Sequence, residues 1–355
     1  MNTNLLDVLR GFRLDAEPVS CEPYGCGHIN VTYLAVAASG RRYILQRINH
    51  HTFRDIPGLM ENITAVTEFL RAKANDPRSV LTLVKTHDGA SFLHTQDSYW
   101  RVYFVEDTIC LQLPETDEDF YQSAIGFGTF QQMLSDFPAE RLHETIPNFH
   151  NTPDRYRAFL EVLERDALRR AALVQPEIEF ALARQTEMGV LQRALNSGEI
   201  PLRVTHNDTK LNNVLLDAKT RKACCVIDLD TVMPGTSVYD FGDSIRFGAA
   251  TAAEDEKDVS KMEVSLERFR VFTRGYTRSC PNLTKSEIAC LAVGAKTMTM
   301  ECGVRFLTDY LDGDHYFATH REGQNLDRAR TQFKLVADME KKWDAMQKIV
   351  KEEAK

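Results

Sequence analysis

The sequence predicts an α+β fold of two lobes, a small β-rich N-terminal lobe and a larger helical C-terminal lobe. Up to Glu106, β-branched and aromatic runs alternate with turn signals. Beyond it, apolar residues recur mostly at helical spacing. A length of 355 residues also suggests about two domains of ordinary size. The expected division is 1–106 and 107–355.

The elements follow in order. "VSCEPYGCGHINVTYLAVAA" holds two strand-like runs around "YGCGHIN". Ser39-Gly40 then makes a turn into a third run, Tyr43 to Ile48. "PGLMENITAVTEFLRAKA" opens on Pro57 and carries apolar residues at 59, 63, 66, 69 and 70, which predicts a helix. Further strands surround the Asp88-Gly89 turn and end near Glu106. Next, "DEDFYQSAIGFGTFQQMLSDF" keeps apolar residues at 120, 124, 127, 130, 134 and 137, again a helical period. Helices are expected over "PDRYRAFLEVLERDALRRAALV" and "EIEFALARQTEMGVLQRAL". "RVTHNDTKLNNVLL" and "KACCVIDLDTVMPG" read as short strands and turns, and helices then run to the end. The last, Leu326 to Val350, has a core-facing stripe.

With 43% hydrophobic and 26% charged residues, the composition is that of an ordinary soluble globular protein. A net charge of −8 argues against a nucleic-acid surface, which needs a basic stripe. It does not exclude a small anionic ligand held by local dipoles or a metal. The start lacks the basic-then-apolar pattern of a signal peptide, and no apolar run is long enough to span a bilayer. The eight Cys residues are scattered without a CxxC pair, as expected for free thiols in a reducing compartment. The expected location is the cytoplasm, away from membranes.

The chemistry concentrates in His206-Asn207-Asp208-Thr209-Lys210-Leu211-Asn212-Asn213. Asp208 and Asn213 are separated by four residues, and Asp228-Leu229-Asp230 follows after a strand-like "CCVI". The spacing is similar to the phosphotransfer pattern H-x-D-x-x-x-x-N followed by a strand and a metal-binding Asp. A carboxylate aims a hydroxyl at a γ-phosphate, while an amide oxygen and a second carboxylate hold the neutralising metal. Taken singly, Asp208 reads as an Asx turn and Asp228 as a strand-end cap. Their order, with a β-rich lobe before them, favours function.

"THNDTKLNNVLLD" with "VIDLDTVMPGTSVYDFGDSIRFG" resembles the aminoglycoside phosphotransferase and choline kinase group, whose fold is protein-kinase-like. "EPYGCGHINVTYL", "RYILQRIN", "TIPNFHNTPDRY" and above all "MECGVRFLTDYLDGDHYFAT" resemble its N-acetylhexosamine 1-kinases, over nearly the whole chain from about residue 20. The resemblance implies ATP- and Mg²⁺-dependent phosphorylation of the anomeric (C1) hydroxyl of N-acetylglucosamine or N-acetylgalactosamine. It implies Asp208 as catalytic base, Asn213 and Asp228 as metal ligands, and His206 as a brace for the loop. Asp230 is a weaker metal candidate. Asp240 and Asp243 match a helix-start motif expected to cap a helix and hold the catalytic loop. His28, Arg305 and Tyr316 are the implied sugar ligands; Asp309, Asp312 and Asp314 read better as a solvated helix end and turn.

Gly25 and Gly27 lie in the candidate phosphate-side loop, where they would let backbone N–H groups approach phosphate or sugar. An ordinary hairpin turn reads the same way. Gln46 is the departure: it stands on the third strand where kinase-like folds carry a phosphate-binding Lys paired with a helix Glu. Arg47 points to the other face, and Glu61 and Glu68 lack a cation at 46. The sugar-kinase subgroup also reads Gln there, so activity with a different phosphate cradle is expected. The rivals are a kinase of the same group acting on choline, homoserine or an aminoglycoside, and a non-catalytic pseudokinase. Choline would call for an aromatic cage. Gln46 favours the pseudokinase, and Asp208, Asn213 and Asp228 oppose it.

Overall fold

The computed structural model describes residues 4–25, 29–105 and 107–354. The fold is α+β, with a β-sheet N-terminal region and a helical C-terminal region. The chain forms two compact units. The first takes Met1–Cys110, Glu140–Pro147 and Leu215–Met233; the second takes Leu111–Ala139, Asn148–Val214 and Pro234–Lys355.

In the first unit, helix α1 (Leu5–Arg10) precedes the strands β1 (Pro18–Pro23), β2 (Val31–Ala37) and β3 (Arg42–Ile48). Helix α2 (Ile56–Lys73) follows, with Asp55 as N-cap and Pro57 in its first turn. Strands β4 (Thr82–Val84), β5 (Leu93–Thr95) and β6 (Ser98–Val105) complete an antiparallel sheet of order β1-β2-β3-β6-β4, with β5 also on β6. Alternation puts Tyr43 and Leu45 of β3, with Trp100 and Val102 of β6, into a core shared with Val8, Leu9 and Phe12. Residues 46 and 101 fall on the opposite face, directly across from one another in the β3–β6 register. Strand β7 (Thr108–Cys110) pairs with Val214–Asp217, which pairs in turn with Ala223–Val226. Those last strands deliver the segment that carries Asp228 and Asp230.

The second unit is helical: α3 (Asp117–Met133), α4 (Thr152–Arg165), α5 (Gln175–Leu182), α6 (Gln185–Met188), α7 (Val190–Asn196), α8 (Ser237–Gly248), α9 (Leu266–Ser279), α10 (Lys285–Asp312), α11 (Gln324–Lys341) and α12 (Trp343–Glu353). All six expected apolar positions of the α3 segment, 120 to 137, are buried. Helix α10 starts on a reciprocal Thr284/Glu287 capping box and ends on Gly313 at φ 112°. It packs on α4, α8 and α11, and its Met300, Val304 and Leu307 join Tyr156, Phe159 and Phe333 in the core. Helices α8 and α10 meet where both are glycine. A Cβ on Gly294 would lie 2.5 Å from Val238 Cγ1 and 2.6 Å from the Val238 carbonyl oxygen.

Three expected helices are shorter than their periodicity. The one opening at Pro153 stops at Asp166, which turns left-handed (φ 33°) and accepts a bond from Ala171 N at 3.1 Å. The "EIEFALARQTEMGVLQRAL" segment breaks into α5, α6 and α7 at Arg184 and Gly189, whose ψ angles of −5° and 1° leave the helical range. The terminal stripe divides into α11 and α12 at Lys342, whose Nζ reaches the Val264 carbonyl at 3.0 Å. In each case side-chain hydrogen bonding or backbone bending overrides an unbroken apolar period.

Candidate active site

The strand Arg203–Thr205 leads into the Asp208 loop and is held at its start. Arg203 donates to Glu287 of α10 at 2.5 Å and 2.8 Å, and Ser237 Oγ donates to the same carboxylate at 2.6 Å. The chain then turns through Asn207, which takes a left-handed φ of 66°. Asn tolerates that conformation better than most residues.

Two acids of α8 hold this turn. Asp240 accepts from the backbone N–H groups of His206 (3.0 Å) and Asn207 (2.8 Å), and from Gln131 Nε2 (2.7 Å). Asp243 accepts from Thr209 N at 2.8 Å, while Ser244 Oγ donates to the Thr209 carbonyl at 2.9 Å. The N-cap of α8 is Thr236, so the expected capping role for Asp240 and Asp243 is corrected: they sit inside the helix. Their hold on the loop is direct. His206 packs edge-on to Phe127 and Phe130, and its Nδ1 accepts from Asp208 N at 3.3 Å.

Within this frame the Asp208 carboxylate has two neighbours. Lys210 Nζ lies 2.9 Å from Oδ1, and Asn213 Nδ2 donates to the Asp208 carbonyl at 2.8 Å and to Oδ2 at 3.3 Å. Burial pushes the Asp208 carboxyl up, but Lys210, with His206 and Arg246 behind it, outweighs burial and holds it below its ordinary value. The group is an ionised, half-buried acceptor.

A second tie reaches the loop from α10. His150 Nε2 is 3.1 Å from the Asn207 carbonyl oxygen, and His150 Nδ1 is 2.7 Å from Glu301 Oε1. Thr152 Oγ1 donates to the other Glu301 oxygen at 2.6 Å. One turn further along α10, the Arg305 guanidinium faces the rings of Phe149, Tyr316 and Phe317 at 5.1, 5.7 and 5.4 Å. Its Nη2 lies 3.4 Å from the Tyr316 hydroxyl, so the two expected sugar ligands are neighbours. Asp309, expected on a solvated surface, is buried: it accepts from the backbone N–H groups of His315, Tyr316 and Phe317 at 2.8–2.9 Å. Asp314 is tied to Arg170 at 2.8 Å, and Asp312 stays on the surface with Arg165.

The first unit carries the remaining expected residues. Gly25 has φ 76°, a conformation that favours glycine; Gly27 and His28 lie outside the described residues. Gln46 Oε1 accepts from Arg101 Nε at 2.9 Å and Nη2 at 2.8 Å. Asp230, the weaker metal candidate, is instead engaged by both ends of the Arg101 fork, and by Asn30 Nδ2 at 2.5 Å. Asp228 is exposed and left-handed (φ 59°, ψ 56°). Glu61 meets His143 at 2.8 Å rather than a strand cation, and Glu68 meets Lys85 at 4.0 Å.

Residues 20–260 match the phosphotransferase enzyme family. The chain belongs to that family. Among solved structures this phosphotransferase is similar to a microcompartment-associated aminopropanol kinase, at 16% identity and a TM-score of 0.64 over 97% of this chain and 98% of that one. It is similar to an amicoumacin kinase in complex with AMP-PNP, Ca²⁺ and Ami, at 14% identity and a TM-score of 0.62 over 93% and 92%. A choline kinase from Cryptosporidium parvum Iowa II follows at 12% identity and a TM-score of 0.59 over 98% and 96%. At these identities the likeness is one of fold.

Among the described residues, no three His, Cys, Asp or Glu side chains gather into a metal cage. A hard divalent cation shared with phosphate oxygens needs none: one carboxylate and one amide oxygen suit Mg²⁺, which keeps waters and substrate oxygens in its shell. Asp228 and Asn213 are of the right donor types, and Asn213 uses only its nitrogen on the loop bonds just described.

Sequence reasoning passed over Arg101, His150, Glu301 and the buried role of Asp309. For Arg101 a signal was present: a lone charge amid "SYWRVYFV", an otherwise apolar strand, must find a partner. Glu301 carried none, because its partners His150 and Thr152 lie far away in sequence; Asp309 takes its backbone donors from the turn six to eight residues on, a fold-back that helical spacing does not show.

Proposed function

We propose that this phosphotransferase is a small-molecule kinase that transfers the γ-phosphoryl group of ATP to the anomeric hydroxyl of an N-acetylhexosamine, giving the 1-phosphate. The observation that carries the transfer chemistry is the ionised Asp208, held by Lys210 and Asn213 on a loop fixed by Asp240 and Asp243. Asp208 accepts the proton of the attacking hydroxyl. An anomeric hydroxyl is more acidic than an ordinary alcohol because the ring oxygen withdraws charge. It therefore suits a carboxylate base of modest strength. Lys210 keeps that base ionised, and the bonds to Thr209, His206 and Asn207 keep it from drifting.

Mg²⁺, when bound, neutralises the triphosphate charge; Asp228 and Asn213 Oδ1 are the groups proposed to hold it. Gly25, Gly27 and Gln46 belong to the nucleotide side. The amicoumacin kinase of like fold, solved with AMP-PNP and Ca²⁺, supports a nucleotide and a divalent cation as the ligands. Arg305 and Tyr316, with His28, are the proposed sugar ligands: a guanidinium beside a phenol and a flat apolar wall offers both directional and stacking contacts.

The test is turnover of ATP with a panel of N-acetylhexosamines, choline, homoserine and an aminoglycoside. Phosphorus–carbon coupling in the NMR spectrum of the product should place the phosphate on C1. A phosphate on C6, or turnover of the 1-deoxy sugar, overturns the position. Turnover of choline alone overturns the sugar.

A further inference from the structure

The third strand has Gln46 where a phosphate-side Lys would stand, yet a cation occupies that face. Arg101 of β6 is the direct cross-strand partner of Gln46 and is fully buried. A guanidinium has five N–H donors. Nε and one Nη2 hydrogen go to Gln46 Oε1, and another Nη2 hydrogen goes to Asp230 Oδ2 at 2.9 Å. Nη1 meets Asp230 Oδ1 and lies 4.0 Å from Met60 Sδ. With its oxygen-directed donors consumed and its side chain closed off from solvent, Arg101 cannot also clasp a phosphate. Burial alone works against its charge, and Asp230 more than offsets it, leaving the group more basic than usual.

The Arg101 fork ends on Asp230, two residues after Asp228. Asp230 also receives Asn30, whose Oδ1 accepts from Asn49 N at 3.0 Å just beyond β3. Asp228 is left-handed, a conformation that strains a non-glycine residue and persists only where the surroundings fix it. Asp230, 3% exposed and bonded from both β6 and the β1–β2 connection, is such a fixture.

We infer that Arg101 is a positioning residue: braced by Gln46, it anchors Asp230 and thereby sets the backbone that presents Asp228 to the metal–nucleotide. The cation missing at position 46 stands instead on β6, and acts through the metal side rather than on the phosphates. This inference rests on the nucleotide reading proposed above, and deepens it.

Binding of AMP-PNP, measured by calorimetry without acceptor across a Mg²⁺ series, tests it independently of turnover. Arg101→Lys keeps the charge and loses the fork; Asp230→Asn keeps the shape and loses the charge. Each should raise the Mg²⁺ concentration for half-maximal binding by about 10- to 100-fold, the usual effect of removing an outer support of a metal ligand. The double variant should be no worse than the worse single, because both act through one link. Asn30→Ala, which leaves the charge pair intact, should shift the Mg²⁺ midpoint the same way by less, and it carries the test should Arg101→Lys fail to fold. An unchanged midpoint in folded Arg101→Lys, an unchanged midpoint in Asn30→Ala, or additive losses in the double variant would each overturn the inference. Absence of AMP-PNP binding by the wild-type chain at any Mg²⁺ concentration would overturn the nucleotide reading, and this inference with it.

Discussion

Asp208 carries the sharpest predictions. Asp208→Asn preserves size and keeps an acceptor oxygen, so the loop bonds to Asp240 and Asp243 should survive. It cannot take a proton, and loss of a general base typically costs roughly 10²- to 10⁴-fold in rate. The expected result is a variant that melts like wild type with kcat down by that factor; more than half the activity would contradict the role. Lys210→Met makes a different claim. The Lys210 charge favours the ionised carboxylate and burial opposes it, so without Lys210 the Asp208 pKa rises. The group then becomes protonated at a higher pH than in wild type. The acid limb of the kcat/KM profile should move to higher pH, and a limb that stays in place would show that Lys210 does not tune the base.

At the scale of elements, the loop is only as well placed as α8, and α8 is placed by α10. Gly294→Ala would bring a methyl group against Val238 Cγ1 and, 2.6 Å away, the Val238 carbonyl oxygen. The side chain could rotate, but the carbonyl belongs to the α8 backbone and cannot. Overpacking of this kind costs about 1–3 kcal/mol, against a gain of roughly 0.5–1 kcal/mol from replacing a helical glycine. The clash wins, so the urea midpoint should fall with an unchanged m-value. Because α8 carries Asp240 and Asp243, kcat should fall as well. A variant as stable as wild type would mean that the helices separate at no cost.

For the whole molecule, the scattered cysteines make a plain prediction. Cys21, Cys110, Cys224, Cys225, Cys280, Cys290 and Cys302 are free thiols, and burial pushes the Cys225 and Cys280 thiols up to about 12, far from reactive thiolates. Reductant should leave the melting temperature unchanged, and thiol titration of the unfolded chain should count eight groups. A melting temperature that falls on reduction would reveal a stabilising disulfide. No helix among the described residues is long and apolar enough to cross a membrane.

The local code was legible where one period and one cap decide an element. The strand Tyr43 to Ile48, helix α2 behind Asp55 and Pro57, and the buried stripe of α3 all follow from side chains that need only their near neighbours. The Asp208-to-Asn213 spacing was legible because those two residues close on one another, Asn213 Nδ2 donating to Asp208, although Asp240 and Asp243 of α8 set where the loop stands. What the sequence left open depended on partners far along the chain. Asp230 looked like a spare metal ligand until Arg101, 129 positions earlier, was found bonded to it. Gln46 looked like a missing cation until the register set that same Arg beside it. Glu301 drew no notice until His150, 151 positions earlier, was found beside it. A buried charge takes its meaning from its partner, because an unpaired one is too costly to keep. Periodicity states which face turns inward, and only the packed structure states what it meets there.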